Sequence, residues 1–321
     1  MKAIVQERYG PADVLRHADI DPPTVGPGQV LVRVRAAGVD PGVWHLMTGL
    51  PYALRLGFGL RRPRNGVPGL DLAGLVTAVG PGVTGFTVGD AVYGTAAGSF
   101  AEYALAPADR LAPKPANLTY AEAAAVPVSG QTALTAVRDA ARVRPGQRVL
   151  VIGAGGGVGS YAVQLARAAG AHVTGVCGPG KLDLVRSLGA AEVVDYTRHD
   201  LPDLRYDAVI DTAGNRPLSR LRRVLTPKGT LVLVGGEASD GKWLQGFDRQ
   251  LRALALSPLV GQRLVPLVAK ESSANLMALR ELIEAGRLRP VVDRTFPLTD
   301  AADAIRHVAG GHATGKVVIA L

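Results

Sequence analysis

The stretch VLVIGAGGGVGSYAVQLARAAG, Val149 to Gly170, constrains the fold more than any other part of the chain. It places five glycines in seven positions, between a β-branched run and an alanine-rich run. Gly153, Gly156 and Gly159 are spaced GxxGxxG. Such a joint turns a chain sharply out of a strand and packs the next helix close against it, because side chains would obstruct both moves. A strand, a glycine turn and a helix over Val158–Ala169 are therefore predicted here.

The same joint lets an anion approach bare backbone N–H groups at Gly157 and Val158, where the helix presents its positive N-terminal end. Ala154-x-Gly156-x-x-Gly159 is a variant of the dinucleotide fingerprint, and a second strand, AHVTGVC, follows at the right distance. The joint is read as a pyrophosphate cradle. At the end of the second strand, NAD enzymes place an acidic residue for the ribose 2′-hydroxyl. Here the segment runs Val176, Cys177, Gly178 to Lys181, with no acid before Asp183. That absence, with Lys181 nearby, suits NADPH; the alternative is an ordinary exposed lysine. Tyr196, after the third strand, either caps the same phosphate or is a surface tyrosine.

From about Leu118 onward, apolar strands alternate with helices: RVLVIG, AHVTGVC, AEVVDY, YDAVIDTAG and GTLVLVGG. This rhythm predicts a parallel sheet covered on both faces, a doubly wound α/β arrangement. The first third reads differently. QVLVRVRAAGVD alternates apolar and polar residues as a half-buried strand, and GLVTAVGPGVTGFTVGDAVYG gives two short strands joined by Gly/Pro turns. A basic, glycine-rich loop, YALRLGFGLRRPRNGVP, lies between Tyr52 and Pro68. A long loop in a compact domain is more often functional than structural. The closing GKVVIAL reads as a strand returning to the first domain.

With 321 residues, 47% hydrophobic and 20% charged, the chain is long enough for two domains. The net charge of +9 is spread in pairs such as Arg61-Arg62 and Arg222-Arg223, which gives no nucleic-acid surface. A single cysteine, Cys177, excludes an internal disulfide and a thiolate zinc cluster. The N-terminal segment lacks an apolar core of signal-peptide length and no stretch approaches a membrane span, so a cytoplasmic location is expected.

On these motifs the chain resembles the zinc-independent quinone oxidoreductase-like branch of the medium-chain dehydrogenase/reductase superfamily. The resemblance is carried by MKAIVQERYGPADVLR, GQVLVRVRAAGVDP, VGPGVTGFTVGDAVYG, FAEYALAPADRLAPKPANLTYAEAAAVPVSGQTAL, the glycine joint and GHATGKVVIAL. It implies a GroES-like β-rich catalytic domain over residues 1–122 and 293–321, and an inserted Rossmann domain over 123–292. The zinc enzymes of that superfamily carry Cys, Gly-His-Glu and a further Cys. This chain has Asp40 at the first position and GLDLAG (Gly69–Gly74) at the second, and Cys177 is on the wrong element. His45 alone cannot supply a tetrahedral zinc site; it is read as a packing or substrate-lining residue.

Without a Lewis acid, the chemistry expected from the resemblance is hydride transfer to an electrophilic acceptor, a quinone or an α,β-unsaturated carbonyl. Reduction of an enoyl thioester and non-catalytic NADPH binding are the alternatives. The resemblance implies that Asp40, where the family usually has Asn, meets ribose hydroxyls or donates a proton. It implies that Thr132 lies beside the nicotinamide, that Gly235 and Gly236 form the backbone edge along it, and that Lys316 contacts the cofactor. Tyr52 is expected in catalysis and, with Trp44, as a pocket wall, although core packing explains Trp44 as well. The apolar, arginine-bearing segment Lys242–Lys270 is either a membrane-surface element or a cover followed by an edge strand near Leu264–Val268. An unpaired apolar edge invites aggregation, so that strand is expected to pair across a homodimer.

Overall fold

The computed structural model describes residues 1–235, 243 and 247–321. They divide into two compact units, Met1–Gln131 with Glu271–Leu321, and Thr132–Lys270.

The first unit opens with an antiparallel pair, β1 (Lys2–Val5) and β2 (Arg16–Asp19). The long strand β3 (Gln29–Val39) follows, with Val30, Val32 and Val34 alternating into the core at 0–2% exposure. Asp40 ends it: the backbone is still extended, the Asp40 Oδ1 accepts from Gly42 N at 2.9 Å, and Pro41 opens α1 (Pro41–Thr48). Gly49, at φ +64°, closes α1 by donating its N–H to the His45 carbonyl. After α2 (Arg55–Phe58) come β4 (Asp71–Val79), β5 (Ala91–Thr95), β6 (Tyr103–Pro107) and β7 (Leu111–Pro113). Then follow α3 (Tyr120–Ala124), fixed by a Thr119–Glu122 capping box, and α4 (Pro127–Leu134), inside which the second unit begins.

The second unit alternates β8 (Arg148–Ile152), α5 (Gly157–Ala168), β9 (His172–Cys177), α6 (Leu182–Ser187) and β10 (Glu192–Asp195). It continues with β11 (Tyr206–Asp211), α7 (Leu218–Arg223), β12 (Leu225–Leu233), α8 (Phe247–Leu256) and β13 (Arg263–Pro266). All six strands are parallel, in the order β10-β9-β8-β11-β12-β13. Val149, Leu150, Val151 and Ile152 are all within 1% of full burial, which is why β8 reads as an unbroken apolar run. Each such side chain contributes about 1.5–3 kcal/mol by leaving water.

The chain then returns to the first unit through α9 (Ser273–Glu284), β14 (Val292–Pro297), α10 (Ala301–Ala309) and β15 (Lys316–Ala320). As expected from GKVVIAL, β15 enters the first sheet, parallel to β14 and antiparallel to β3. The unit boundaries differ from the 122/123 and 292/293 that the resemblance implied. Helix α9 belongs with the first unit because its carbonyls are held there: Tyr93 Oη donates to Leu276 O at 2.6 Å and Asn117 Nδ2 to Ile283 O at 2.9 Å. Ala116 N also donates to Glu284 Oε1 at 3.0 Å.

Candidate active site

In the second unit the sheet order reverses direction between β8 and β11, the switch point where open α/β sheets bind ligands at the carboxyl ends of strands. Gly153 leaves β8 at φ +81°, and a Cβ there would lie 2.5 Å from Thr212 Oγ1, just beyond β11. A Cβ on Gly159 would lie 2.1 Å from the Gly153 carbonyl oxygen. Backbone therefore meets backbone, and only glycine fits. Gly156 caps α5, so the amides of Gly157, Val158 and Gly159 fall in its first turn, where no acceptor exists within the helix. The cradle the glycines keep open fits the pyrophosphate of a dinucleotide.

Residues beyond β9 gather beside this cradle. A Cβ on Gly155 would lie 2.8 Å from Lys181 Cβ and Cδ, so the lysine stem lies along the glycine loop. Lys181 N donates to Gly178 O at 3.0 Å. The Tyr196 ring borders Gly178, 3.5 Å from where a Cβ would stand, and Tyr196 N donates to Cys177 O. Cys177 is buried, and burial pushes its thiol up. It helps end the strand and shows no sign of an activated thiolate.

Two residues that the sequence reading passed over complete this end of the sheet. Asp211, fully buried at the end of β11, accepts from Ala213 N and Gly214 N through Oδ1 and pairs with Arg249 Nη1 at 2.6 Å through Oδ2. Arg249, on α8, also donates to the Gly235 carbonyl at 2.8 Å. This clamp fixes the backbone at Gly235, where a Cβ would lie 2.6 Å from Thr212 O. Gly236 lies outside the described residues. Asp211 had a signal, an acid ending an otherwise apolar strand, whereas Arg249 is one arginine among several on an amphipathic helix.

In the first unit Asp40 and Lys316 do come together, with a third residue, Asp71, that the sequence reading did not select. Lys316 Nζ donates to Asp71 Oδ2 at 3.0 Å and stands 3.7 Å from Asp40 Oδ2. All three are at most 5% exposed. Asp71 Oδ1 accepts from Val128 N at 2.8 Å. Gly38 makes room for the cluster, since a Cβ there would lie 2.6 Å from Asp71 Oδ2. Burial pushes the Asp71 carboxyl up to about 7; the Asp40 charge adds to this, and the Lys316 ammonium and Val128 N–H oppose it. Desolvation pulls Lys316 down, but Asp71 and Asp40 together outweigh it and raise the ammonium. Asp40 Oδ2 is buried without a hydrogen-bond partner. Lys316, expected on the cofactor, is thus found with its ammonium between two carboxylates.

Trp44 and His45 lie on α1. Trp44 packs on the core of the first unit, and His45 Nδ1–H donates to Leu50 O at 2.7 Å. Tyr52 carries the Arg55 guanidinium over its ring at 4.6 Å, and Arg55 also lies over Tyr9 at 4.5 Å. Thr132 is half-buried on α4, the first residue of the second unit.

Comparison with known proteins finds two family models along the chain. The family described as alcohol dehydrogenase GroES-like domain matches residues 26–116, and that described as zinc-binding dehydrogenase matches residues 188–319. The chain is 33% identical to the chloroplast envelope quinone oxidoreductase homolog of Arabidopsis thaliana, over 99% of this chain and 98% of that protein. It is 34% identical to the chloroplastic NADPH-dependent alkenal/one oxidoreductase of the same plant, over 99% of this chain and 79% of that one. The quinone oxidoreductase structure from Coxiella burnetii superposes with a TM-score of 0.85 at 28% identity, covering 100% of this chain and 99% of that one. The zinc in the second family's description has no matching donor set: among the described residues no three His, Cys, Asp or Glu form a metal-binding group. Asp40 and Asp71 already share a cation, the Lys316 ammonium. The chain therefore belongs to the medium-chain dehydrogenase/reductase superfamily, in its zinc-independent quinone oxidoreductase-like branch.

Proposed function

We propose that this chain is a zinc-independent reductase that uses NADPH to reduce quinones or α,β-unsaturated carbonyls. The observation that carries the reading is the glycine cradle with Lys181 laid along it and no acid in Val176–Lys181. The names of the quinone and alkenal/one oxidoreductase relatives support the acceptor class.

In this reading the first-turn amides of Gly157, Val158 and Gly159, with Gly153 and Gly156, hold the pyrophosphate. Lys181, flanked by Cys177 and Gly178, pairs with a 2′-phosphate, and Tyr196 closes over it. The Asp211–Arg249 clamp holds the Gly235 backbone as an edge for the nicotinamide, with Thr132 beside it. When bound, NADPH supplies the hydride. An electrophilic acceptor then needs only hydrogen bonds and a proton at its enolate oxygen. We assign Asp40 and Tyr52 to that oxygen and the ribose hydroxyls, and Trp44, His45 and Tyr52 to the acceptor pocket. Lys316 then acts through Asp40, holding its carboxylate in place, rather than on the cofactor itself.

The proposal includes a homodimer joined through β13, an edge strand flanked by Leu259 and Val268 at 80% and 88% exposure. It places the protein in the cytoplasm, which supplies NADPH.

Oxidation of NADPH and NADH against a naphthoquinone, an enal, an enone, an enoyl thioester and a simple ketone, all in EDTA, tests the reading. NADPH-preferring turnover of the quinone or an enone is expected. Turnover of the enoyl thioester alone would transfer the chain to the alternative substrate class. Binding without turnover of any acceptor would make it a non-catalytic NADPH-binding protein.

A further inference from the structure

Beyond Tyr52, the loop after α1 is given no role in the reductase reading, yet it has an unusual surface. Between Asp40 and Asp71 the chain has no acidic residue and four arginines, Arg55, Arg61, Arg62 and Arg64. Arg55 is used internally: it is stacked over Tyr9 and Tyr52 and donates from Nε to Gly49 O at 3.0 Å. The loop is stapled at its base, because Tyr9 Oη donates to Gly59 O at 2.6 Å and Arg64 N to Phe58 O at 2.8 Å. That staple leaves Leu56, Phe58 and Leu60 pointing outward at 74%, 47% and 67% exposure. Arg61, Arg62 and Arg64 are exposed beside them, with no carboxylate in ion-pair reach among the described residues.

Single exposed apolar residues need no explanation. Three within five positions, bordered by three unpaired arginines and no acid, form a surface that is both apolar and cationic. An acidic protein face would satisfy the arginines and leave Leu56, Phe58 and Leu60 against polar atoms. An anionic bilayer offers both partners at one boundary, lipid phosphates for the guanidinium groups and hydrocarbon a few ångströms below for the apolar side chains. Among the described residues no helix is long and apolar enough to cross a membrane, so the attachment is peripheral.

We propose that the Leu56–Arg64 loop docks this protein reversibly on anionic lipid membranes. The docking goes beyond the reductase reading, does not depend on it, and is read by binding alone.

Co-sedimentation of the full chain with phosphatidylglycerol/phosphatidylcholine vesicles, against vesicles of phosphatidylcholine only, tests it. Binding to the anionic vesicles is expected, at least about tenfold tighter than to the neutral ones and lost near 1 M salt, where the screening length falls to about 3 Å. R61Q/R62Q/R64Q should lose about fivefold per arginine, on the order of a hundredfold in all. L56S/F58S/L60S should weaken binding to anionic vesicles although its charge is unchanged. Both variants change only exposed side chains and should keep the wild-type melting temperature; F58S and R62Q alone serve if a triple variant does not fold. The proposal is overturned by three results: no binding to anionic vesicles, equal binding to both vesicle types, or triple variants that bind like wild type. A change in oligomeric state on L56S/F58S/L60S would equally overturn it, by making the loop a contact between copies of the chain.

Discussion

At the scale of single residues, Asp71 carries the clearest pH signature. Its folded carboxyl titrates at about 7, against 3.8 as the ordinary value, chiefly because it is buried. Between about pH 4 and 7 the folded chain therefore holds a proton that the unfolded chain has released. Stability contributed by this group must fall as pH rises through that window, by up to about 1.4 kcal/mol per pH unit. Asp71→Asn keeps an oxygen for Lys316 and removes the titration, so its stability should lose that slope. Denaturant unfolding at several pH values checks this, and parallel slopes for variant and wild type would show that Asp71 titrates as an ordinary carboxylate. Lys181 has its own test. Lys181→Ala should raise the KM for NADPH roughly 10- to 100-fold, the range for a hydrogen bond to a charged group, and barely change the KM for NADH. Equal effects on both would remove the 2′-phosphate from its role.

At the scale of elements, the edge strand β13 gives the next prediction. Leu259→Asp with Val268→Asp should turn a dimer into a monomer in sedimentation velocity without changing far-UV circular dichroism, because both side chains are exposed in the single chain. A sedimentation coefficient that does not change would place the dimer contact elsewhere or remove it. Elements were also where the sequence was most legible. Strand β8, the glycine turn and α5 fell within one residue of expectation, because a local pattern of apolar run, glycines and helix former determines all three. The parallel sheet was legible from unbroken apolar strands, and β15 from the short apolar run of GKVVIAL. The Lys316 environment was not, since its partner Asp71 lies 245 residues away and no local pattern encodes that pairing. Helix α9 was assigned to the wrong unit for a related reason: what holds it is a set of side-chain bonds to its carbonyls, from Tyr93 and Asn117. Arg249 was invisible because an arginine on an amphipathic helix gives no hint of a buried carboxylate opposite.

At the scale of the whole molecule, the protein supplies its own cation to Asp40 and Asp71, the Lys316 ammonium. EDTA should leave its melting temperature unchanged, whereas NADPH at a hundred times its Kd should add about 2.7 kcal/mol of stability. Differential scanning calorimetry measures both, and a melting temperature lowered by EDTA would contradict the donor-set argument. The order of the chain adds one more consequence. Strand β15, which brings Lys316 to Asp40 and Asp71, follows the whole second unit. During synthesis the sheet of β3, β4 and β5 therefore emerges long before the cation that neutralises its two buried acids. The first unit must wait, with carboxylates that stay protonated or hydrated, until β15 slides in beside β3. A nascent chain stopped short of residue 316 would carry its second unit complete and its first unit open, a form that a protease could tell from the finished protein.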